Sequence, residues 1–342
     1  MNQLLTIGDL IAATGLEESL IRFYESEYSS RLPEKIIRGD GLFFRSEAVA
    51  ALRDIHARYG SGNTAPVPER GYGRVIAVSS GKGGVGKSNL ALNMAIEFQR
   101  AGHMSLVLDA DLGMANIHLL AGVQPRYTLG DFLKNHISIS ELITPGPCGV
   151  GIIPGGAGIM ALADSTVSDR RRMLGALESM EQNAGIIVVD TAAGMGAGVR
   201  DFLRAADEII IILTQDITAM ADAYGLLKGL RREGLRGTVY SVVNMTASLK
   251  QAAATAGRFA ACAAQFLDLR VENIGYIMRD SSFAAATARR TPLNVFAPQS
   301  RAAGNIRNIA GSLLRGAEKG IKVNSAFKRY MKMVNIEAEK KN

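Results

Sequence analysis

One stretch restricts this chain more than any other: Ser80-Gly81-Lys82-Gly83-Gly84-Val85-Gly86-Lys87-Ser88. It fits the phosphate-binding pattern G-x-x-x-x-G-K-[ST] at Gly81, Gly86, Lys87 and Ser88. Before it runs the apolar, β-rich segment 74–79, and after it the amphipathic segment 89–100, stopped by Ala101-Gly102. Strand, glycine loop and helix in that order let backbone N–H groups of residues 83–89 (Gly83, Gly84, Val85, Gly86, Lys87, Ser88, Asn89) face a polyphosphate at a helix N-terminus. In this pattern Lys87 supplies charge to the outer phosphates, and the Ser88 hydroxyl is a ligand for Mg²⁺. The competing reading, a glycine-rich turn with an accidental Lys-Ser, does not account for the strand before it and the helix after it.

From Arg74 onward β-rich runs alternate with helical patterns, which predicts an α/β fold: a doubly wound, mostly parallel sheet covered on both faces. Residues 105–109 read as a strand ending in Asp109-Ala110-Asp111, and residues 185–190 as four apolar residues closing on Asp190. Carboxylates at the C-terminal ends of such strands lie where open α/β sheets bind ligands. Asp190 is thus a candidate to hold Mg²⁺ through water. Asp109 is either a second carboxylate near the metal or a strand-end cap. Thr191-Ala192-Ala193-Gly194 follows as a switch loop whose glycine permits rearrangement. Glu208–Leu213 reads as a central buried strand, leading through Thr214-Gln215-Asp216 to a helix from Thr218 to Arg232. Strands at 238–243 and 273–277 end near Asn244 and Met278-Arg279-Asp280, and asparagine is a common turn residue after a strand.

The chain has 342 residues, 47% hydrophobic and 21% charged, enough for two domains with a sizeable core. It contains no apolar run of about 18 residues, so it is expected in the cytoplasm or at a membrane surface. Cys148 and Cys262 lack metal-ligand spacing and are expected as reduced thiols packed in the interior. The net charge of +7 is uneven. Residues 1–60 hold seven Lys/Arg against nine Asp/Glu, whereas residues 315–342 hold eight against three. Anionic partners are therefore expected at the tail.

Residues 1–60 read as a small head. A capped helix spans 6–15, a second helix 17–25, a hairpin 36–44 and a third helix 46–59. Residues 61–73 are a linker by composition. Residues 74–318 form the phosphate-binding domain. Residues 319–342 form a basic amphipathic helix with Val323, Phe327, Tyr330, Met331 and Val334 along one stripe. That stripe suits either an anionic membrane surface, over residues 320–336, or packing on the chain's own domain.

With Lys82 beside its first glycine, the loop resembles the deviant phosphate loop of the MinD/ParA ATPases. The resemblance implies ATP and Mg²⁺ as cofactors, and an ATP-dependent homodimer in which Lys82 reaches the partner's nucleotide while Lys87 serves its own. The bland alternative for Lys82 is local positive charge. By the same resemblance Asp111 orients the attacking water, Asp109 lies nearer the metal with Ser88 and Asp190, and Asn244 reads adenine. Asp280 lies in a further nucleotide loop, where Met278 stands in place of the usual proline. The runs 109–117, 153–156, 190–194, 222–224 and 275–280 are similar to the FlhG (FleN) flagellar-number subgroup, over about residues 74–316. This implies a slow ATPase switch that controls the number, placement or expression of flagella, with a flagellar GTPase or a transcription activator as protein partner. The head is similar instead to MerR-type winged helices, with Ile21-Arg22-Phe23-Tyr24-Glu25 as its marker run. That leaves DNA or protein contact through residues 1–60. A DNA-binding regulator and a ParA-like cargo-positioning ATPase remain the alternatives.

Overall fold

The computed structural model describes residues 4–16, 21, 32–33, 36–38, 41–55, 72–111, 116–134, 137–155, 167–315 and 325–329. The chain divides into two compact units, Met1–Glu69 and Arg70–Asn342.

In the first unit a short strand β1 (Leu4–Leu5) precedes helix α1 (Ile7–Thr14). Thr6 and Asp9 form a capping box at the start of α1, and Gly15 ends it at φ 71°. Strands β2 (Ile36–Arg38) and β3 (Gly41–Arg45) make an antiparallel hairpin, and β3 also pairs with β1, giving the order β1-β3-β2. Helix α2 (Glu47–Ile55) follows, and its Arg53 guanidinium donates to the Ala13 carbonyl. Leu10, Leu16, Ile21, Phe44, Ala48 and Leu52 form the core of this unit. The helix expected at 17–25 lies outside the described residues except for Ile21, and so does the linker at 61–71.

The second unit is an eight-stranded sheet. In chain order its elements are β4 (Arg74–Ser79), α3 (Lys87–Arg100), β5 (Ser105–Ala110), α4 (Ile117–Ala121), α5 (Leu129–Lys134), α6 (Ile139–Leu142), β6 (Thr144–Pro145) and β7 (Gly151–Ile153). These are followed by α7 (Val167–Asn183), β8 (Ile186–Thr191), α8 (Ala197–Ala205), β9 (Glu208–Leu213), α9 (Ile217–Arg232), β10 (Thr238–Thr246), α10 (Leu249–Leu267), β11 (Val271–Met278), α11 (Ser282–Ala288), α12 (Leu293–Phe296) and α13 (Arg301–Arg315). The strand order is β11-β10-β9-β4-β8-β5-β7-β6, and only the β6–β7 pair is antiparallel.

The apolar runs of the strands feed two cores by alternation. Val75, Ala77, Ile209 and Ile211 point to one face with Leu177, Phe202, Leu226 and Phe259 from α7–α10. Ile76, Val78, Ile210 and Ile212 point to the other face with Leu90, Ile96 and Phe98 of α3 and Ile306 and Ile309 of α13. Helix α3 is buried without a break from Leu90 to Phe98, so the helix that follows the phosphate loop is fixed along its length. Cys148 and Cys262 are both exposed, contrary to the interior packing expected for them; each stands on a surface position, a 3₁₀ turn and the outer face of α10 respectively.

Over residues 325–329 the tail packs on its own domain, one of the two readings its stripe allowed. Phe327 is 2% exposed and packs within the α7–α10 core. Glu181, a fully buried carboxylate on α7, accepts from Ser325 Oγ at 2.6 Å and from the N–H groups of Ala326 and Phe327 at 2.9 and 3.3 Å. Arg329 pairs with Asp207 at 2.6 Å and donates to the Ala205 carbonyl. Lys328 pairs with Glu178 at 2.6 Å, and Glu178 also accepts from Tyr72 Oη at 2.7 Å. Residues 325–329 thus belong to the folded domain rather than to a separate tail. The apolar pocket and the waiting carboxylate outweigh solvation of a short basic helix. The rest of the expected stripe lies outside the described residues. Among the described residues, no helix is long and apolar enough to cross a membrane.

Candidate functional site

The loop between β4 and α3 has the shape the pattern demands. Gly84 and Gly86 take φ of 77° and 93°, a region that suits glycine. Gly86 precedes α3 with no side-chain cap, so the first helical N–H groups are left for an incoming anion. Gly81 lies against α9, and a Cβ there would sit 2.3 Å from the Ala223 nitrogen. The Ser80 carbonyl accepts from the Gly194 N–H at 3.1 Å, joining the loop to the segment after β8.

The two lysines of the loop stand in opposite surroundings. Lys87 is buried at 7% exposure; desolvation lowers its pKa, against the opposing pull of Asp190 and Asp111. Lys82 is exposed, and its Nζ lies 2.8 Å from Asp216 Oδ2 and 3.2 Å from Thr218 Oγ1. The bond to Asp216 raises the Lys82 pKa and lowers that of Asp216. Asp216 also caps α9 through Oδ1, which accepts from Thr218 N and Oγ1.

Parallel pairing sets Asp109 of β5 beside Asp190 of β8. Both are 1% exposed, and burial pushes them up to about 6 and about 7 respectively. Asp190 accepts from Ser88, and its Oδ1 is buried with no hydrogen-bond partner among the described residues. An orphaned carboxylate oxygen beside a loop hydroxyl suits a hydrated Mg²⁺, which binds few protein oxygens and keeps most of its waters. Asp109 is used differently. Its oxygens accept from the N–H groups of Asp111 at 3.2 Å and Ile117 at 3.0 Å, with Asn116 adding to the set. These bonds satisfy a buried backbone, the strand-end cap that was the alternative to a place near the metal. Asp111 itself is half-buried at the mouth of the site, where its charge reaches Lys87 and Asp190.

Asn244 is brought to the loop, whereas Asp280 is not left free. Asn244 Nδ2 donates to the Val85 carbonyl at 2.8 Å, and its Oδ1 accepts from Met245 N–H. Asp280 accepts from Ser282 N–H with one oxygen and from Ala302 N–H with the other, tying the starts of α11 and α13. That bonding holds Asp280 in place between the two helix starts. The sequence reading assigned no role to Asp216 and Thr218. An Asp-x-Thr step directly after a buried strand and before a helix is the cap signal that locates them.

A phosphate loop after β4, a buried lysine at the start of α3 and paired aspartates at the ends of β5 and β8 define a P-loop nucleotide-hydrolase site. The AAA domain family (AAA_31) matches residues 73–233. The chain is 32% identical to the antiactivator FleN of Pseudomonas aeruginosa over 67% of its own length and 82% of that protein. It is also 32% identical to the flagellum site-determining protein YlxH of Helicobacter pylori, over 77% of its length and 91% of that protein. Among solved structures, the septum site-determining protein MinD of Pyrococcus horikoshii, determined with Mg-ADP, superposes with a TM-score of 0.57 at 23% identity, covering 72% of this chain and 99% of that one. The chain belongs to the MinD/ParA family of P-loop ATPases, in its FleN/FlhG branch.

Proposed function

We propose that the chain is an ATP- and Mg²⁺-dependent dimerising switch that controls the number or placement of flagella. The observation that carries this reading is the division of labour between the loop lysines. Lys87 is buried where its own polyphosphate would lie, while Lys82 is exposed and held by Asp216 and Thr218. A second copy offering a nucleotide would compete for Lys82. Exposed apolar side chains around the same edge of the sheet support pairing there: Ile217 is 71% exposed, Met195 55% and Met245 42%. Ser88 and Asp190 would hold Mg²⁺, and Asp111 would orient the attacking water. The flagellar role is supported by the two relatives named for it.

Within this reading the head, residues 1–60, contacts the partner, which is a flagellar GTPase or a transcription activator. Its strand order β1-β3-β2 with capped α1 supports the winged alternative, in which the head binds DNA. Since Phe327 is in the core, contact with an anionic membrane rests on residues after Arg329, including Tyr330, Met331 and Val334. Light scattering after size exclusion tests the switch. Dimer with Mg-ATP and monomer with Mg-ADP is the expected result, and monomer under both conditions overturns it.

A further inference from the structure

We propose that Asn244 is a positioning residue for the polyphosphate, a strut that sets the shape of the phosphate loop independently of any contact with the base. The reason begins in β10. Its pairing with β11 runs Val243↔Tyr276 and then jumps to Thr246↔Met278, so β10 spends one more residue than its neighbour over this step. Such a bulge bends the strand and re-aims its side chains. Met245, inside the bulge, takes φ of 55°, the left-handed region. Strain of that kind in a non-glycine residue persists only where the surroundings enforce it.

The bulge delivers Asn244, 5% exposed, against the phosphate loop. Each end of its amide makes one bond. Nδ2 donates to the Val85 carbonyl at 2.8 Å, and Oδ1 accepts from Met245 N–H at 2.8 Å. Only one orientation of the amide satisfies both bonds. The loop is fitted to the strut in turn: a Cβ on Gly86 would lie 2.4 Å from Asn244 Nδ2. A loop that turns its N–H groups inward to a phosphate must turn carbonyls outward, and a buried outward carbonyl needs a donor. Val85 is 5% exposed, and Asn244 supplies that donor two residues before α3 begins. The side chain therefore acts on the phosphates through Gly86 and Lys87, whatever base is attached.

The inference rests on the polyphosphate-binding reading of the loop. The test is calorimetry on the full chain with Mg²⁺ and three ligands: ATP, ADP and inorganic tripolyphosphate, which carries no base. Asn244→Ala and Asn244→Asp are compared with wild type, with melting curves to establish folding. The strut predicts that both variants lose affinity for tripolyphosphate by about ten- to a hundred-fold, and for ATP by at least that factor. Asn244→Asp is expected to be the worse, because it sets an oxygen against the Val85 carbonyl. A purely structural role would lower the melting temperature and leave the affinities of the folded protein alone. If ATP and ADP weaken while tripolyphosphate does not, Asn244 reads the base and the strut is overturned. Unchanged affinity for all three overturns it as well. If Asn244→Asp does not fold, the tripolyphosphate affinity of Asn244→Ala decides alone. A wild type that binds none of the three overturns the phosphate-loop reading, an outcome distinct from any variant effect.

Discussion

Lys82 and Asp216 are joined by a 2.8 Å ion pair on the exposed side of the phosphate loop, and Asp216 at the same time caps the helix that packs against that loop. An ion pair open to solvent is held weakly and is readily exchanged for a stronger anion. The resting partner of Lys82 is therefore a carboxylate of its own chain, and a polyphosphate presented from outside can replace it.

From this, Lys82→Ala is expected to bind Mg-ATP with near-wild-type affinity, since Lys87 is untouched, but to stay monomeric. Asp216→Ala removes the competitor and is expected to dimerise at lower ATP concentration. Light scattering across an ATP titration checks both. An ATP-induced dimer of Lys82→Ala sinks the trans role of the lysine.

Asp111→Ala removes the carboxylate assigned to the attacking water while leaving the phosphate contacts of the loop intact. Phosphate release should slow by about a hundred-fold or more, with the ATP dimer accumulating. Turnover at the wild-type rate would transfer the role to another residue.

The site has a pH dependence whose sign follows from Asp190. Unfolded, its carboxyl titrates near 3.8; folded, burial holds the proton up to about 7. Between those values the folded state binds more protons than the unfolded one, so stability falls as pH rises through the window. In EDTA, Asp190→Asn should melt several degrees above wild type at about pH 8, with the gap closing at about pH 5. A gap of equal size at both values contradicts the assignment.

Phe327→Ala should cost about 3–5 kcal/mol in urea unfolding, the range for emptying a buried aromatic site. Ending the chain at residue 318 should cost at least as much, because it also strips the partners from buried Glu181. A stable, unaltered truncated domain would show that residues 325–329 are dispensable.

Much of the phosphate domain was legible because its strands are continuous apolar runs, as at 209–213 and at 186–189, the latter closed by Asp190. The P-loop was legible because its chemistry requires fixed residues at fixed spacing. Other assignments depended on partners distant in sequence. Periodicity placed Phe327 on a stripe, but nothing near it in sequence announces Glu181, 146 residues earlier. Asp109 and Asp280 look like ligands from their places at strand ends, yet each is claimed by backbone N–H groups that only the folded loops bring near. Asn244 was visible as a candidate, while the bulge that aims it at Val85 left no local mark.

Glu178 is shared by Tyr72, where the chain reaches the sheet, and Lys328, near the last described residue. Lys328 Nζ lies 3.3 Å from the Tyr72 hydroxyl itself. The two ends of the domain are thus fastened to each other through one turn of α7. Mechanically the domain is a closed ring: a pull applied between its ends loads this fastening before it loads any strand, and the nucleotide site is shielded from that tension for as long as the fastening holds.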